Sequence, residues 1–271
     1  MPGEQVTVAI VVVGSEVLSG RVEDVNSRWL AIQLRKCGAV LTEICTIPDD
    51  VDIIAARVRE LASSNRFVIT AGGIGPTHDD VTYEGVAKAF GCGLQVRAEV
   101  VALLKRLTGS SAQRALDKSL VKLAMLPSKA VLVTNAADAY PVARVANVFI
   151  LPGMPSLMRG QFDQFRAAFR GALRYHSAFR IGLPETDIVA ALNSLVSAHP
   201  SVAVGSYPQE SESPETVVSL EAQERGELVR AEAALSELVA RVNPDVRPHR
   251  CIKASAAKAK AKATAATQSK L

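Results

Sequence analysis

The chain has few cysteines and no long apolar run, and both shortages exclude classes of protein. The four cysteines include no Cys-x-x-Cys pair, which argues against a zinc or iron–sulfur site and for reduced thiols in an intracellular compartment. The longest apolar stretch, Val6 to Val13, ends at Gly14 and is well short of the roughly 20 residues that a membrane-spanning helix needs. The N-terminus has no basic segment leading into an apolar run, so we expect neither a secretory signal nor a membrane anchor.

Acidic residues are absent from residues 252–271, which changes the meaning of the net charge. These residues carry five lysines, so the formal charge of +4 leaves −1 on the rest of the chain. A nucleic-acid-binding protein concentrates basic residues on its folded part. We therefore expect no nucleic-acid partner.

The C-terminal region is dominated by Ala, Lys, Ser and Thr. It offers no apolar face to bury, which predicts a disordered tail over residues 249–271. The tail ends in Ser269-Lys270-Leu271, the tripeptide that a peroxisomal import receptor reads on an exposed terminus. The sequence thus predicts that receptor as a partner and a location in the peroxisome or in a related organelle that uses the same import signal. The alternative is a chance match and a cytoplasmic location.

The rest of the chain alternates strand-like and helix-like segments, which predicts an α/β fold. Val6 to Val13 is a continuous, mostly β-branched run, as expected of a strand covered on both faces in a parallel sheet. Strands alternating with helices predict βαβ units and a three-layer, mostly parallel sheet flanked by helices. The predicted strands cover 6–13, 40–47, 66–70, 131–134 and 145–151, and the predicted helices cover 26–37, a segment from 51, a segment ending at 90, 99–125 with a break near Gly109, and 156–174.

The pattern changes near Tyr175, which predicts a second, smaller domain. From there to about Val246 the order is strand, helix, strand, strand, helix, as in a small α+β appendage. We therefore expect domains over 1–174 and 175–248, followed by the tail. The predicted strands cover 177–181, 202–205 and 216–222, and the predicted helices cover 187–198 and 227–242.

Three turns rich in glycine and polar residues follow predicted strands. The carboxyl ends of parallel strands line one crevice, so we expect these turns to meet there. A fourth turn, Leu151-Pro152-Gly153-Met154-Pro155, lines the same pocket or serves packing alone. The three turns are Gly14-Ser15-Glu16-Val17-Leu18-Ser19-Gly20 with its continuation to Ser27, Pro48-Asp49-Asp50, and Ala71-Gly72-Gly73-Ile74-Gly75-Pro76-Thr77-His78-Asp79-Asp80.

The third turn, which we call the glycine loop (residues 71–80), has the composition of a phosphate-binding loop. Gly72, Gly73 and Gly75 permit close approach of a ligand, and the helix that follows offers free N–H groups and the positive end of its dipole. The alternative is structural: Thr77 caps that helix, with Asp80 as the acidic half of a capping box.

Five carboxylates are expected at this one edge of the sheet, where their mutual repulsion would cost stability unless a cation or a shared proton compensates. A magnesium-type divalent ion resolves the conflict, because the metal and the glycine N–H groups would together bind a di- or triphosphate. His78 is either a proton donor at the site or a solvated loop residue. The five carboxylates are those of Glu16, Asp24, Asp49, Asp79 and Asp80, and the predicted metal ligands are Glu16, Asp24, Asp79 and Asp80.

These motifs resemble a known family. In their order and spacing, they are similar to the motifs of the molybdopterin-binding domain. The matching segments are Gly14 to Leu18 with Gly20, Asp24-Val25-Asn26-Ser27, Pro48-Asp49, Gly72 to Thr82 and Leu151 to Pro155. Molybdenum-cofactor biosynthesis proteins share that domain with the CinA proteins. The resemblance covers residues 5 to about 170. Within the family, Leu120 to Pro127 and Gly205-Ser206-Tyr207-Pro208 look most like the N-terminal region of eukaryotic FAD synthases, which extends the resemblance to about residue 246.

The resemblance implies chemistry at a phosphoanhydride beside an adenylate. Asp49 and Asp80 match the catalytic pair of the enzymes that adenylylate molybdopterin. In CinA-like and FAD-synthase-like relatives the fold is associated with metal-dependent hydrolysis of a dinucleotide such as FAD or ADP-ribose. The residues expected to bind the phosphorylated dinucleotide or pterin are Gly14, Ser15, Ser19, Asn26, Ser27, Gly72, Gly73, Gly75, Thr77, Pro152 and Gly153.

Three departures from the family pattern bear on the choice of activity. The molybdenum enzymes usually have a basic residue where this chain has Asp79. Their Asn-x-x-Gly-x-x-Pro-Gly segment is replaced here by the segment Asn135 to Pro141. The adenylyl-transferring domain of FAD synthase has no counterpart in the sequence, so we do not expect FAD synthesis.

The sequence therefore favours a metal-dependent pyrophosphatase that acts on FAD or ADP-ribose and uses Mg²⁺ or a similar ion. Molybdopterin binding or adenylylation is one alternative, and a non-catalytic module that binds a flavin nucleotide is another. Relatives of this fold assemble as dimers or trimers, which implies a homo-oligomer.

Overall fold

The computed structural model describes residues 5–107, 118–134, 139–210 and 214–252. The chain divides into two compact units, Met1–Gly171 and Ala172–Leu271. Residues 135–138 of the segment that departs from the family pattern lie outside the described residues. So do the predicted helix break near Gly109 and the C-terminal Ser269-Lys270-Leu271, so these features stay predictions. Across the described residues, no helix is long and apolar enough to cross a bilayer.

The first unit is built on a six-stranded mixed sheet with the order β2-β1-β3-β8-β7-β6. Strands β1, β2, β3 and β8 are parallel, and β7 and β6 complete the sheet in antiparallel pairing. A separate ribbon pairs β4 with β5. The strands of this unit are β1 (Thr7–Val13), β2 (Val40–Ile47), β3 (Phe67–Ala71), β4 (Leu94–Val96), β5 (Met125–Pro127), β6 (Val131–Val133), β7 (Val142–Val145) and β8 (Val148–Leu151).

Helices cover both faces of this sheet and produce three layers. They are α1 (Ser15–Leu18), α2 (Val25–Cys37), α3 (Val51–Ser64), α4 (Thr82–Ala89), α5 (Ala98–Leu107), α6 (Lys118–Leu123) and α7 (Pro155–Phe165), the last followed by a 3-10 turn at Arg166–Phe169.

Strand β1 shows why a continuous apolar run was needed. Its odd-numbered residues, such as Val11, pack in one core with Ile54 of α3 and Val86 of α4. Its even-numbered residues pack in a second core with α2 and α7, where Ile10 joins Leu30. Burial of apolar side chains on both faces stabilises the central strand. The predicted α/β class and three-layer arrangement are confirmed.

Three predicted elements of the first unit differ from the structure. The helix expected over 156–174 ends at Phe165 and is followed by a 3-10 turn to Phe169. The single strand expected over 145–151 is a tight hairpin of β7 and β8 that turns at Ala146, whose φ is 50°. The Asn147 side chain fixes this turn by donating to the carbonyl oxygens of Ala62 (2.9 Å) and Asn65 (3.0 Å). The helix expected to reach residue 125 ends at Leu123, because Met125–Pro127 pairs with β4.

The second unit is a four-stranded antiparallel sheet with two helices. Its strands are β9 (Tyr175–Ile181), β10 (Ala203–Gln209), β11 (Glu215–Ala222) and β12 (His249–Ile252), in the order β10-β11-β9-β12, and its helices are α8 (Glu185–Ala198) and α9 (Arg225–Val242). The sequence assigned residues 249–252 to the tail, which is wrong because they pair with β9. Arg250 secures this strand by pairing with Glu232 and by lying over the Phe179 ring, 5.2 Å from its centroid.

The close approach of the glycine loop to β1 yields a stability prediction. A Cβ atom at Gly72 would lie 2.1 Å from the Val13 carbonyl oxygen, at a φ of 109° that L-residues rarely adopt. Gly72→Ala should therefore lower the free energy of unfolding by at least about 2 kcal/mol. Urea denaturation followed by circular dichroism measures this change.

Gly160→Ala is the matched control. Gly160 is exposed within α7, and no atom lies within 4 Å of the position that an alanine methyl group would take there, so this substitution should raise the free energy of unfolding by about 1 kcal/mol. A Gly72→Ala variant as stable as Gly160→Ala would contradict the close approach of the loop to β1.

Candidate functional site

The predicted site residues come together at the carboxyl edge of the parallel strands. Val13 at the end of β1 lies against both Gly72 and Gly73 of the glycine loop. The Gly72 N–H donates to the Leu151 carbonyl oxygen at 3.0 Å, which joins the loop to the end of β8. Gly153 lies next to the Gly72 Cα atom. The turns after β1, β3 and β8 therefore form one continuous surface.

Asp49 is joined to the first turn by its side chain. The Ser15 N–H donates to the Asp49 Oδ2 atom at 2.8 Å, and the Asp49 N–H points back to the Ser15 hydroxyl at 3.4 Å. The Gly14 N–H, which donates to the Ile47 carbonyl oxygen at 3.1 Å, holds the two turns in register. The half-buried Asp49 carboxylate is thus fixed at the strand edge, beside the start of α1.

Asp50, the next residue, has a different role. Its carboxylate caps α3 by accepting from the N–H groups of Asp52 (2.8 Å) and Ile53 (3.0 Å). Side-chain caps of this kind satisfy donors that a helix leaves unpaired at its N-terminus. Asp50 is therefore structural, whereas Asp49 faces the site.

The glycine loop is held at both ends and open in the middle. Thr82 fixes its far end, since its hydroxyl donates to the Gly72 carbonyl oxygen and its N–H donates to the Gly73 carbonyl oxygen, both at 2.9 Å. Among the residues that the structure describes, no group accepts a hydrogen bond from the N–H groups of Gly73, Ile74 or Gly75. Successive backbone N–H groups without partners are the kind of donors that can bind an anion.

Asp80 lies beside these N–H groups. A Cβ atom at Gly75 would come within 2.6 Å of the Asp80 Oδ2 atom. The same oxygen accepts from the Thr77 N–H at 2.9 Å and contacts the Thr77 hydroxyl. The expectation that Thr77 caps the following helix is wrong, because α4 begins at Thr82 with Val81 at the cap position. The Thr77–Asp80 pair instead closes a turn within the loop.

Asp79 is fully exposed. A hydrogen bond from the Thr77 side chain, helped by the backbone N–H of Asp79 itself, lowers the pKa of the Asp79 carboxyl, and the neighbouring His78 and Lys122 act in the same direction. Asp79 therefore carries its charge at neutral pH. His78 is also exposed, and its role as proton donor or solvated residue stays open.

The Asp24-Val25-Asn26-Ser27 motif begins α2. The Asp24 carboxylate caps this helix, accepting from the N–H groups of Asn26 and Ser27 at 3.0 Å each and from the Ser27 hydroxyl. The Asn26 amide donates to the Gly153 carbonyl oxygen at 2.7 Å. Asn26 is only 9% exposed, and its Oδ1 atom has no partner among the described residues. This motif therefore adds a buried acceptor to the surface formed by the turns.

The four predicted metal ligands do not form a cage. Over the described ranges, no group of three Asp, Glu, His or Cys side chains is placed to hold an ion. Asp24 is used as a helix cap. The Glu16 carboxylate folds back over Gly14, and the Glu16 carbonyl oxygen accepts from the Ser19 hydroxyl at 3.2 Å. The described carboxylates are therefore not gathered in advance around one point, and the predicted metal stays a prediction.

Sequence reasoning did not select Lys122 as a site residue. Lys122 lies on α6, and its ammonium group donates to the Thr77 carbonyl oxygen. The residue appeared only within the motif Leu120 to Pro127, and 45 positions separate it from Thr77. Only the contact between α6 and the glycine loop in space brings this cation next to the candidate site.

Two family models match the chain. The model "Probable molybdopterin binding domain" matches residues 9–170. The model "FAD synthase, middle domain" matches residues 174–245. Together they span most of the described residues.

Known proteins agree with these matches. A protein of Archaeoglobus fulgidus is 36% identical over 200 residues, covering 74% of this chain and 85% of its own length. A "Probable FAD synthase" of Caenorhabditis elegans is 31% identical over 228 residues, with 75% of this chain and 44% of that protein covered. The chain therefore spans less than half the length of that FAD synthase.

Among solved structures, CinA of Thermoplasma acidophilum, described as of unknown function, is similar to this chain with a TM-score of 0.55 and 28% identity. The match covers 61% of this chain and 98% of CinA. The resemblance seen in the motifs is thus confirmed. The chain belongs to the molybdopterin-binding domain family, in a form close to the corresponding region of FAD synthases.

Proposed function

We propose that the protein is a metal-dependent pyrophosphatase that splits an adenine dinucleotide, FAD or ADP-ribose. The observation that carries this proposal is the set of three successive unpaired N–H groups at Gly73, Ile74 and Gly75 beside the Asp80 carboxylate, within the part of the chain that the structure describes. Backbone N–H groups hold phosphate oxygens and stabilise the charge that develops on them during phosphoryl transfer. A neighbouring carboxylate is suited to orient the attacking water.

The choice of an adenine dinucleotide rests on the relatives. The second family model is that of the FAD synthase middle domain, and proteins named FAD synthase are among the relatives. Asp79 stands where the resemblance implies a basic residue in the molybdenum enzymes. These features favour a flavin or ADP-ribosyl dinucleotide over molybdopterin.

The reaction needs one water and one carboxylate. Water attacks one phosphorus of the P–O–P bridge and loses a proton to Asp49 or Asp80, and the bridging oxygen leaves with the other phosphate. FAD then yields FMN and AMP, and ADP-ribose yields AMP and ribose 5-phosphate. Mg²⁺ typically binds through one or two carboxylates together with substrate phosphates. Asp79 or Asp80 would supply such a carboxylate, and comparing the rate with and without added metal tests this dependence.

The roles of the two aspartates can be tested by substitution. Asp49→Asn and Asp80→Asn should each lower kcat for hydrolysis of FAD or ADP-ribose by about 100-fold or more, because each removes a candidate base of the kind that contributes about 10²- to 10⁴-fold. Chromatographic separation of FMN, AMP and ribose 5-phosphate measures the loss, with Mg²⁺, Mn²⁺ and Co²⁺ compared.

Asp50→Asn is the control, since asparagine caps a helix about as well as aspartate and Asp50 is occupied with α3. This variant should keep the wild-type rate and stability. If the wild type releases none of these products with any of the three metals, the proposed activity is refuted. If hydrolysis persists in the Asp49→Asn/Asp80→Asn double variant, the assigned roles are wrong.

One observation favours a second candidate, the binding or adenylylation of molybdopterin. Asn26 has a buried Oδ1 atom at the site with no partner among the described residues, and a pterin ring carries N–H groups that such an acceptor would bind. If this candidate holds, Asn26→Ala should weaken molybdopterin binding by about 10-fold or more, measured by fluorescence titration. Failure of the wild type to bind molybdopterin would exclude this candidate.

Flavin-nucleotide binding without hydrolysis would support the third possibility, a non-catalytic module.

The charge on Asp79 is itself testable. Because the folded-state pKa of Asp79 is lowered, its contribution to stability is present above the unfolded-state pKa and is lost as the pH falls through the folded-state pKa. Thr77→Val removes the first cause of the shift, so the Asp79 pKa should rise towards its ordinary value in an NMR titration. Ser19→Ala, whose hydroxyl donates to the Glu16 carbonyl oxygen, should leave it unchanged. An unaltered Asp79 pKa in Thr77→Val would contradict the assignment.

A further inference from the structure

A cation from another element reaches the glycine loop. The ammonium group of Lys122, on α6, donates to the Thr77 carbonyl oxygen, and the side chain is partly buried. An ammonium group has three N–H donors. The bond to Thr77 therefore leaves two donors of Lys122 for other acceptors.

The position of Lys122 is fixed from inside the protein. The hydroxyl of Tyr140 donates to the carbonyl oxygen of Leu123, the next residue, at 2.7 Å. Tyr140 also packs against the core cluster that contains the buried Tyr83 of α4, and Tyr83 follows Thr82, which holds the glycine loop. Hydrogen bonds and packing therefore join the end of α6, α4 and the loop.

The charges around the loop favour a nearby cation. Asp79 and Asp80 are both in this loop, and a diphosphate would bring further negative charge close to them. Repulsion between like charges disfavours such a complex unless a positive group lies nearby. The described carboxylates form no metal cage that could supply this charge in advance, whereas Lys122 is already at the loop.

We infer that Lys122 is a phosphate-binding residue of this site, which keeps one N–H on the Thr77 carbonyl oxygen and offers the others to a phosphate oxygen of the ligand. This inference rests on the proposed function only in taking the ligand to be a diphosphate. It does not depend on whether the ligand is hydrolysed.

The test uses the full chain and inorganic pyrophosphate in EDTA, with the dissociation constant measured by calorimetry. Lys122→Met should weaken binding by about 10- to 100-fold, the range expected for loss of a charge-assisted hydrogen bond. Lys122→Gln keeps an N–H that can reach the loop but loses the charge, so it should bind as weakly as Lys122→Met. Lys122→Arg keeps the charge and should bind within about 10-fold of the wild type.

Lys129→Met is the matched control. Lys129 is also a lysine that donates to a backbone carbonyl, that of Phe90 at 2.9 Å, but at the opposite end of α4. This variant should bind pyrophosphate as the wild type does. Circular dichroism melting of all variants shows that each one is folded, and rescue by Lys122→Arg separates loss of charge from loss of fold.

Three outcomes would overturn the inference: wild-type protein that does not bind pyrophosphate, Lys122→Met that binds it unchanged, or Lys122→Gln that restores binding. A purely structural tether to Thr77 predicts the last of these. If Lys122→Met loses binding while the wild type hydrolyses no dinucleotide, Lys122 keeps its role and the proposed activity fails. If the wild type hydrolyses FAD but the Lys122 variants bind pyrophosphate as the wild type does, the proposed activity stands and the role of Lys122 fails.

Discussion

The contact between Gly72 and the end of β1 is the constraint on which the site depends. A Cβ atom at Gly72 would lie 2.1 Å from the Val13 carbonyl oxygen, so the backbone of the glycine loop can come this close only where a hydrogen atom replaces a side chain. The bond from the Gly72 N–H to the Leu151 carbonyl oxygen joins the same point to β8. Because the loop is anchored there and again at Thr82, the N–H groups between these anchors are held in place without partners among the described residues. The run of N–H groups without partners is thus a consequence of how tightly the strand ends pack.

The acidic residues at this edge are divided between structure and site. Asp24 and Asp50 each cap a helix, which uses carboxylates to satisfy N–H groups and gains from the helix dipole. Asp49 is fixed by Ser15, and Asp80 is fixed by Thr77. Only part of the negative charge is therefore left to face the candidate site. The sequence could not show this division, because capping cannot be distinguished from ligand binding by residue type alone. At Asp79, hydrogen bonds lower the pKa of the carboxyl, whereas repulsion between carboxylates would raise it.

Much of the fold could be predicted because local patterns and tertiary packing agree. Strand β1 is a continuous apolar run and β2 lies where the sequence placed it, since both are fixed by burial and by clear glycine or proline boundaries. The hairpin at Ala146, the short strand β5 and the edge strand β12 were missed, because each depends on a pairing partner and not on its own periodicity. At the site, the motifs predicted that Asp49, Asp80 and the three glycines of the glycine loop lie at the same edge of the sheet. The position of Lys122 beside the loop was not predicted, because no local pattern links α6 to a loop 45 positions away.

Lys122 also offers a physical account of the Asp79 departure. The resemblance implies a basic residue at this loop position in the molybdenum enzymes, and a charge change from basic to acidic inside a phosphate site would disfavour an anionic ligand by Coulombic repulsion. A lysine that reaches the same loop from α6 restores positive charge at a different point in space. Under the proposed function, a cation on the neighbouring helix would compensate the charge of a phosphate as a cation in the loop would, but from a different direction. Differences in ligand within one fold can therefore arise from where the compensating charge lies, with the glycine backbone and Asp80 unchanged.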